Sequence, residues 1–443
     1  MKSHRYLLIY FLLFINYAVI GQEVMTLEKA MTIALENSFQ IKIDEANIRV
    51  ADNNNTWARA GRYPTLDLNG SFQATFLNDN NPASFINGSS FSAGIGPSLD
   101  LQWLAYGGGR VGILKDQFDQ LGTQQEVLGS INVQALLRSV VQSYYNVLLQ
   151  QERSEVLSEV LNLSNDRLSY EKTRKEFGAA TSFSLLQFED AVLTDSINVV
   201  TQNQQEDIAK RMLYNVLLVD QESDYDFPDR LSVVPEEVDR EKLRTELLSD
   251  NPTLKNLTVL SELSQINTKI TQATRRPSLL LGANLGFAEN YFKLFADDAN
   301  TGEAFKGIFA NRFNVGVSAN FNWNLYDGGT LKADVQGAKI QEEISALDMM
   351  QAEADLLNQL DILITNYDNQ RDLLDLTDAQ INLAQRNLEI AKERFRSGQI
   401  TSFDYRTVQN QFLNAAFGRV NAIFDLINFK SEIDWLVGVF AAD

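Results

Sequence analysis

Ser98-Leu99-Asp100-Leu101-Gln102-Trp103-Leu104-Ala105-Tyr106-Gly107-Gly108-Gly109 is answered later in the chain by Ser318-Ala319-Asn320-Phe321-Asn322-Trp323-Asn324-Leu325-Tyr326-Asp327-Gly328-Gly329. Both stretches alternate apolar and polar side chains, reach a tryptophan and run into a glycine turn. The separation is 220 residues (323 − 103), and it also carries Gly178-Ala179-Ala180-Thr181-Ser182-Phe183 onto Gly398-Gln399-Ile400-Thr401-Ser402-Phe403. Upstream, Arg62-Tyr63-Pro64-Thr65-Leu66 answers Arg275-Arg276-Pro277-Ser278-Leu279 at 213 (277 − 64). About seven extra residues therefore fall between the strand segments of the second half, where a loop absorbs them.

Alternation marks a strand with one apolar face, and it occurs four times. The expected strands lie at about residues 65–77, 91–105, 278–288 and 313–325, with polar loops Asn78–Ser90 and Ala288–Arg312 between the members of each pair. The polar positions are mostly Asn, Ser and Gly, for example Asn314, Gly316, Ser318 and Asn320 against Val315, Val317, Ala319 and Phe321. Alternation alone fits a soluble sandwich and a barrel wall equally. A small polar face in an exported chain fits a wet lumen with apolar residues turned to lipid. Trp103, Tyr106, Trp323 and Tyr326 then stand where aromatics meet the membrane interface. Four strands cannot close a barrel, whose smallest usual size is about eight, so such a chain must oligomerise.

The remaining sequence is helical. None of the seven prolines follows Pro277, and none falls between Pro97 and Pro228, which leaves Gly109–Gly178 and Gly329–Gly398 free of helix breakers. Roughly seventy residues of helix reach on the order of 100 Å. Val133, Leu137, Val140, Tyr144 and Val147 recur at spacings of four and three, the seam of a coiled coil. Lys172, Arg174 and Lys175 precede Gly178, and Lys392, Arg394 and Arg396 precede Gly398. Basic residues suit the last turn of a helix, glycine the left-handed residue after it, and Thr181 and Thr401 the cap of the next helix. Each half thus ends in a helix, tight turn, helix hairpin.

The first residues have the zones of a secretory signal: basic Lys2 and Arg5, an apolar run from Tyr6 to Ile20, and a cut expected after Gly21. No other segment has the roughly 20 apolar residues of a spanning helix, so any crossing is by strands. The chain has no cysteine, and its single histidine, His4, lies in the signal. That excludes disulfides, Cys/His zinc sites and histidine-based catalysis from the mature protein. No cofactor is expected. The formal charge of −20 argues against nucleic acid as a partner. Pairs such as Glu342 and Glu343 are adjacent on a helix and share no face, and Gly107-Gly108-Gly109 lacks the Gly-Lys-Ser/Thr of a phosphate loop, so an enzyme is not expected. The expected organisation is a signal at 1–21, a first repeat at 22–218 with its tip at 178–182, a linker at 219–241, and a second repeat at 242–443 with its tip at 398–402.

This duplicated order of helix, Arg-x-Pro, paired strands, Tyr-x-Gly-Gly, long helix, Gly-x-x-Thr tip and returning helix resembles the TolC family of outer-membrane efflux and secretion channels. The resemblance covers essentially the whole mature chain. It implies a mixed fold, a membrane β-barrel plus a long α-helical coiled-coil barrel. In it a homotrimer builds one twelve-stranded barrel in outer-membrane lipid, continued by an α-helical tunnel in the periplasm. It implies an exit duct for a tripartite efflux or type I secretion system, partnered by a periplasmic adaptor (membrane fusion) protein and an inner-membrane transporter. Gly178, Thr181, Ser182, Gly398, Thr401 and Ser402 would face the adaptor. Asp404 would belong to an acidic gate, with Thr407 where the family often has a second acid. Thr401-x-x-Asp404 also has the spacing of a capping box, a structural role for the same carboxylate. The other reading is an exported coiled-coil scaffold or adaptor without a pore, which explains the helices but not the strands.

Overall fold

The computed structural model describes residues 23–81, 88–222, 225–295 and 304–439. The signal expected at 1–21 lies outside the described residues, as do the centres of the two polar loops. The elements in chain order are β1 (Glu23–Val24), α1 (Leu27–Asn37), α2 (Phe39–Asn54), β2 (Thr65–Asp79), β3 (Gly88–Gly107), α3 (Arg110–Glu176) and α4 (Ser182–Leu217). Then follow β4 (Tyr225–Asp226), α5 (Arg240–Asp250), α6 (Pro252–Ala273), β5 (Ser278–Phe295), β6 (Ile308–Asn322), α7 (Thr330–Arg396) and α8 (Ser402–Val437). The duplication is literal in the helices: α3 and α7 each have 67 residues, α4 and α8 each 36. Among the described residues no helix is long and apolar enough to cross a membrane.

Contacts divide the chain into two compact units. One comprises Ala46–Glu126 and Leu257–Met349 and is built on a four-stranded antiparallel sheet in the order β2-β3-β5-β6. Its register sets Leu68 opposite Leu99, Leu99 opposite Leu285, and Leu285 opposite Val315, so the apolar residues of all four strands share one face. That face is uncovered within the chain: Leu68 is 78% and Val317 86% exposed. The second strand pair runs further than the alternation suggests, β5 to Phe295 and β6 from Ile308. Glu289 and Asn311 are the reason. They pair with each other on the apolar face, where their polarity breaks the pattern while the backbone ladder continues.

At the start of α3 the glycine turn is dictated by contact. Gly108 has φ +65, and a Cβ there would lie 2.7 Å from the Ala273 carbonyl and 2.8 Å from the Arg276 Cβ. At the start of α7 the Asp327 carboxylate accepts from the amides of Gly329 (2.9 Å) and Leu331 (2.7 Å), capping the helix.

The other unit holds the chain up to Glu45, Val127–Asn256 and the chain from Met350. Leu137, Val140, Tyr144 and Val147 of the expected seam are buried in it. The linker between the repeats is not a passive tether. β4 pairs in parallel with β1, the Met25 amide donates to the Asp226 carbonyl (2.8 Å), and Phe227 and Leu231 are buried. The Tyr144 ring packs on Phe227 with centroids 5.9 Å apart, and its hydroxyl donates to the Met25 carbonyl (3.2 Å) and the Asp229 carboxylate. Burial, then the Asp229 carboxylate, push the Tyr144 hydroxyl far above the ordinary tyrosine range, so it remains a donor. Tyr144→Phe is expected to cost about 1 kcal/mol. Hydrogen exchange should show this as faster exchange of the Met25 amide, with the α3 amides around position 144 unchanged.

Candidate functional site: the hairpin tips and the sheet

Both hairpin turns close with the same backbone device. Gly178 has φ +76 and Gly398 φ +73. The Gly178 amide donates to the Lys175 carbonyl (2.9 Å) and the Ala179 amide to that of Arg174 (2.8 Å). In the second repeat Gly398 donates to Phe395 (3.0 Å) and Gln399 to Arg394 (2.8 Å). This pair of hydrogen bonds satisfies the last carbonyls of α3 and α7 and needs a left-handed residue, which glycine supplies. Thr181 then accepts from the Ser184 amide (3.1 Å) and Thr401 from the Asp404 amide (3.2 Å). Thr181, Ser182 and Thr401 are exposed. Ser402 is half-buried and donates to the Gln187 side chain (2.6 Å), joining the second tip to α4. A cleft of about 430 Å³ between the turns is lined by Gly178, Thr181 and Ser184 on one side and Gly398, Thr401 and Ser402 on the other.

Asp404 is exposed and folded back on its own cap. Its Oδ2 accepts from the Thr401 hydroxyl (2.7 Å) and amide (3.0 Å), completing the reciprocal capping box. The Thr401 hydroxyl, then the Thr401 amide, hold its carboxyl below the ordinary aspartate value, so it is ionised at neutral pH. Thr407 is exposed and donates to the Phe403 carbonyl one turn back (3.0 Å).

Between these two positions lies a residue that sequence reading passed over. Arg406 grips Asp195 of α4 with two bonds, Nη2 to Oδ1 (2.6 Å) and Nη1 to Oδ2 (2.7 Å). Asp195 is 1% exposed and also accepts from the Ser164 hydroxyl of α3 (2.6 Å). Gln409 donates to Ser164 (2.9 Å) and to the Val160 carbonyl (3.1 Å). A periodic signal for this network exists. Phe188, Asp195, Gln202 and Ala209 stand seven apart and are all buried. Val160, Ser164, Arg167 and Glu171 follow a four, three, four spacing and are buried too. Near the tip the coiled-coil seam turns from apolar to polar.

On the sheet, Trp103 and Trp323 do the same work in both repeats. Each indole N–H donates to the arginine carbonyl two residues before a proline, Arg62 (3.0 Å) and Arg275 (3.1 Å), while the rings stay partly exposed. Tyr106 and Tyr326 are exposed beside them. At the loop end a second aromatic group occupies the same apolar face: Phe76 against Phe295 (6.0 Å), Phe91 against Tyr291 (6.3 Å), and Tyr291 against Phe309 (4.8 Å). Trp103 and Phe91 are twelve residues apart on β3, roughly 40 Å along a strand. At the usual tilt of barrel strands that is about 30 Å along a barrel axis. Among the described residues no group of three or more His, Cys, Asp or Glu side chains is placed to hold a metal ion.

The sequence profile of outer membrane efflux proteins matches residues 30–217 and again residues 243–422. The chain belongs to the outer membrane efflux protein family. Toxin and drug export protein A of Aggregatibacter actinomycetemcomitans is 21% identical over 302 residues, 68% of this chain and 63% of that protein, so the match spans less than two thirds of the relative's length. The outer-membrane channel OprN superposes with a TM-score of 0.75 at 17% identity, covering 93% of this chain and 89% of that one. The CmeC outer membrane channel of Campylobacter jejuni gives 0.75 at 16%, covering 93% and 85%. At such identities the likeness is one of fold, and the fold is that of outer-membrane channels with a β domain and periplasmic helices.

For this family member, Thr401→Ala is expected to cost about 1 kcal/mol of local helix stability, seen as faster amide exchange at Asp404 and Tyr405. Asp404 has a depressed folded-state pKa. Its stabilising effect is therefore complete above the unfolded value and is lost only as pH falls through the lower folded one. Exchange at the start of α8, corrected for intrinsic rate, should thus be the same at about pH 7 and about pH 5.

Proposed function

We propose that the chain is one subunit of the exit duct of a tripartite efflux or type I secretion system, held in the outer membrane with its helices in the periplasm. The observation that carries this reading is the sheet β2-β3-β5-β6. It has an exposed apolar face bounded by aromatics at both ends, a small polar face behind it, and, among the described residues, two open edges. Three copies would supply twelve strands, enough to close a barrel with a wet lumen. A pore-free scaffold has no use for an uncovered apolar sheet.

Two helices support a homotrimer. Leu193, Ile197 and Val200 on α4, and Leu376, Leu383 and Ile390 on α7, recur at spacings of three, four or seven and are each more than half exposed. Stripes of that period suit a neighbouring helix of another copy. At the tips Phe183 and Phe403, each after a Thr-Ser pair, are both 71% exposed. Beside the cleft between the turns they suit a helical hairpin of a periplasmic adaptor, which would link the duct to an inner-membrane transporter. The relative named for toxin and drug export supports a cargo delivered by such a pump. The duct itself is read as a passive conduit, without catalytic groups.

Purified mature protein in planar bilayers should give discrete conductance steps, and their absence would count against the duct. Val317→Arg, on the apolar face, should cost about 2–4 kcal/mol of folding into bilayers. Gln73→Arg, on the polar face, should fold with near wild-type stability; equal effects at both positions would contradict the assignment of faces.

A further inference from the structure

Resting on the duct reading, we propose that the turns at the tryptophan end of the sheet form a cationic collar that binds the phosphate headgroups of anionic phospholipids in the leaflet facing the periplasm. The first observation is charge. Within ten residues of the strand ends on that side stand two basic residues before β2, two after β3, three before β5 and one after β6, eight in all, against the acids Asp116 and Asp327. The whole chain has a formal charge of −20, so basic residues gather here against its general trend. At the other end of the sheet the balance is reversed: the connection from β5 to β6 carries Asp297, Asp298 and Glu303 against Lys306.

The second observation is that both repeats build the same combination of tryptophan, arginine and lysine. In the first, the Trp103 indole holds the Arg62 carbonyl (3.0 Å), and the Arg62 guanidinium lies 4.7 Å from the centroid of the Trp57 ring. The Lys115 ammonium approaches the same ring (6.0 Å). In the second, Trp323 holds the Arg275 carbonyl (3.1 Å), and a pocket of about 270 Å³ opens between Arg275, Trp323, Tyr326 and Lys332. Asp327 also lines it, with both carboxylate oxygens already occupied by the Gly329 and Leu331 amides. Arg62, Arg275 and Lys332 are exposed, and among the described residues none of them takes part in an ion pair.

The occupant follows from where the collar lies. It begins where the uncovered apolar face ends, at Trp103 and Trp323. Tryptophan rings favour the headgroup level, and the stems of arginine and lysine carry their charges on from there into the phosphates. A guanidinium can meet two phosphate oxygens at once. An anionic leaflet attracts each such cation over about one Debye length, roughly 10 Å at 0.1 M salt, and repels the acidic remainder of the chain. The collar thereby sets the depth at which the sheet sits.

Electron spin resonance of labelled lipids tests this. The mature protein is folded into phosphatidylcholine vesicles that hold traces of spin-labelled phosphatidylglycerol or spin-labelled phosphatidylcholine, and the motionally restricted fraction gives the association of each lipid with the protein. Phosphatidylglycerol is expected to associate about fivefold more strongly at about 0.1 M salt, the attraction of one basic residue near a charged surface. The preference should fall to within about twofold at about 1 M salt, where the Debye length is about 3 Å. Arg62→Gln, Lys115→Gln, Arg275→Gln and Lys332→Gln combined should abolish it. Lys242→Gln with Lys255→Gln, exposed lysines of the other unit, should leave it intact. Equal association of the two lipids with the wild type, or a preference that survives in the fourfold variant, would overturn the proposal. If that variant does not fold, the salt series on the wild type decides alone, and a preference undiminished at about 1 M overturns the collar. A wild-type protein that does not float with the vesicles would overturn the duct reading itself, and this proposal with it.

Discussion

Among the described residues, the outer edges of β2 and β6 present backbone N–H and C=O groups that the sheet order leaves without a neighbouring strand. In water such edges are a hazard of unwanted pairing; in a hydrocarbon layer each unsatisfied group costs several kcal/mol. The apolar face commits the sheet to lipid, and lipid in turn forbids open edges. Closure with further copies is therefore a condition on the chain surviving in its membrane. The rest of the architecture follows from this condition. On the proposed duct reading, the small polar face would line a lumen, the aromatics at the two ends of the strands would form girdles, and the uncovered helical stripes would meet other copies.

A duct made this way has to be rigid in some places and movable in others, and the seam chemistry of the helices distributes those properties. Around Leu137, Val140, Tyr144 and Val147 the seam is apolar, and the linker strand and Phe227 pack against it. Towards the tips Ser164, Arg167, Glu171, Asp195 and Gln409 replace aliphatic residues. Burying them is costlier per residue, and each must be met by a particular partner, so they exchange some stability for a single register. The exposed Asp404 carboxylate, by contrast, serves its own helix through Thr401.

Much of this fold could be read from the residues because the repeat prints the same instructions twice. The alternation at Phe313–Asn322 and the Gly178 and Gly398 turns depend on local chemistry, period two for strands and a left-handed glycine for the turns, which sequence expresses directly. The ends of β5 and β6 were hidden because Glu289 and Asn311 sit on the apolar face, where register and not residue type keeps them in the ladder. The site was less legible for a related reason. Arg406 and Asp195 are 211 residues apart, and nothing local in either announces the other. Only the heptad position of Asp195, between Phe188 and Gln202, marks it as a buried polar group in need of a partner. The indoles of Trp103 and Trp323 also hold the turns before Pro64 and Pro277, through carbonyls 41 and 48 residues away that no local pattern announces.

The central claim is that one chain cannot close its own wall. Native mass spectrometry of the mature protein, released from detergent micelles after folding into outer-membrane lipid, counts the copies directly. The account predicts a single assembly of three subunits that stays together until the sheet unfolds. A monomer that keeps its strands in the bilayer and in detergent would contradict it.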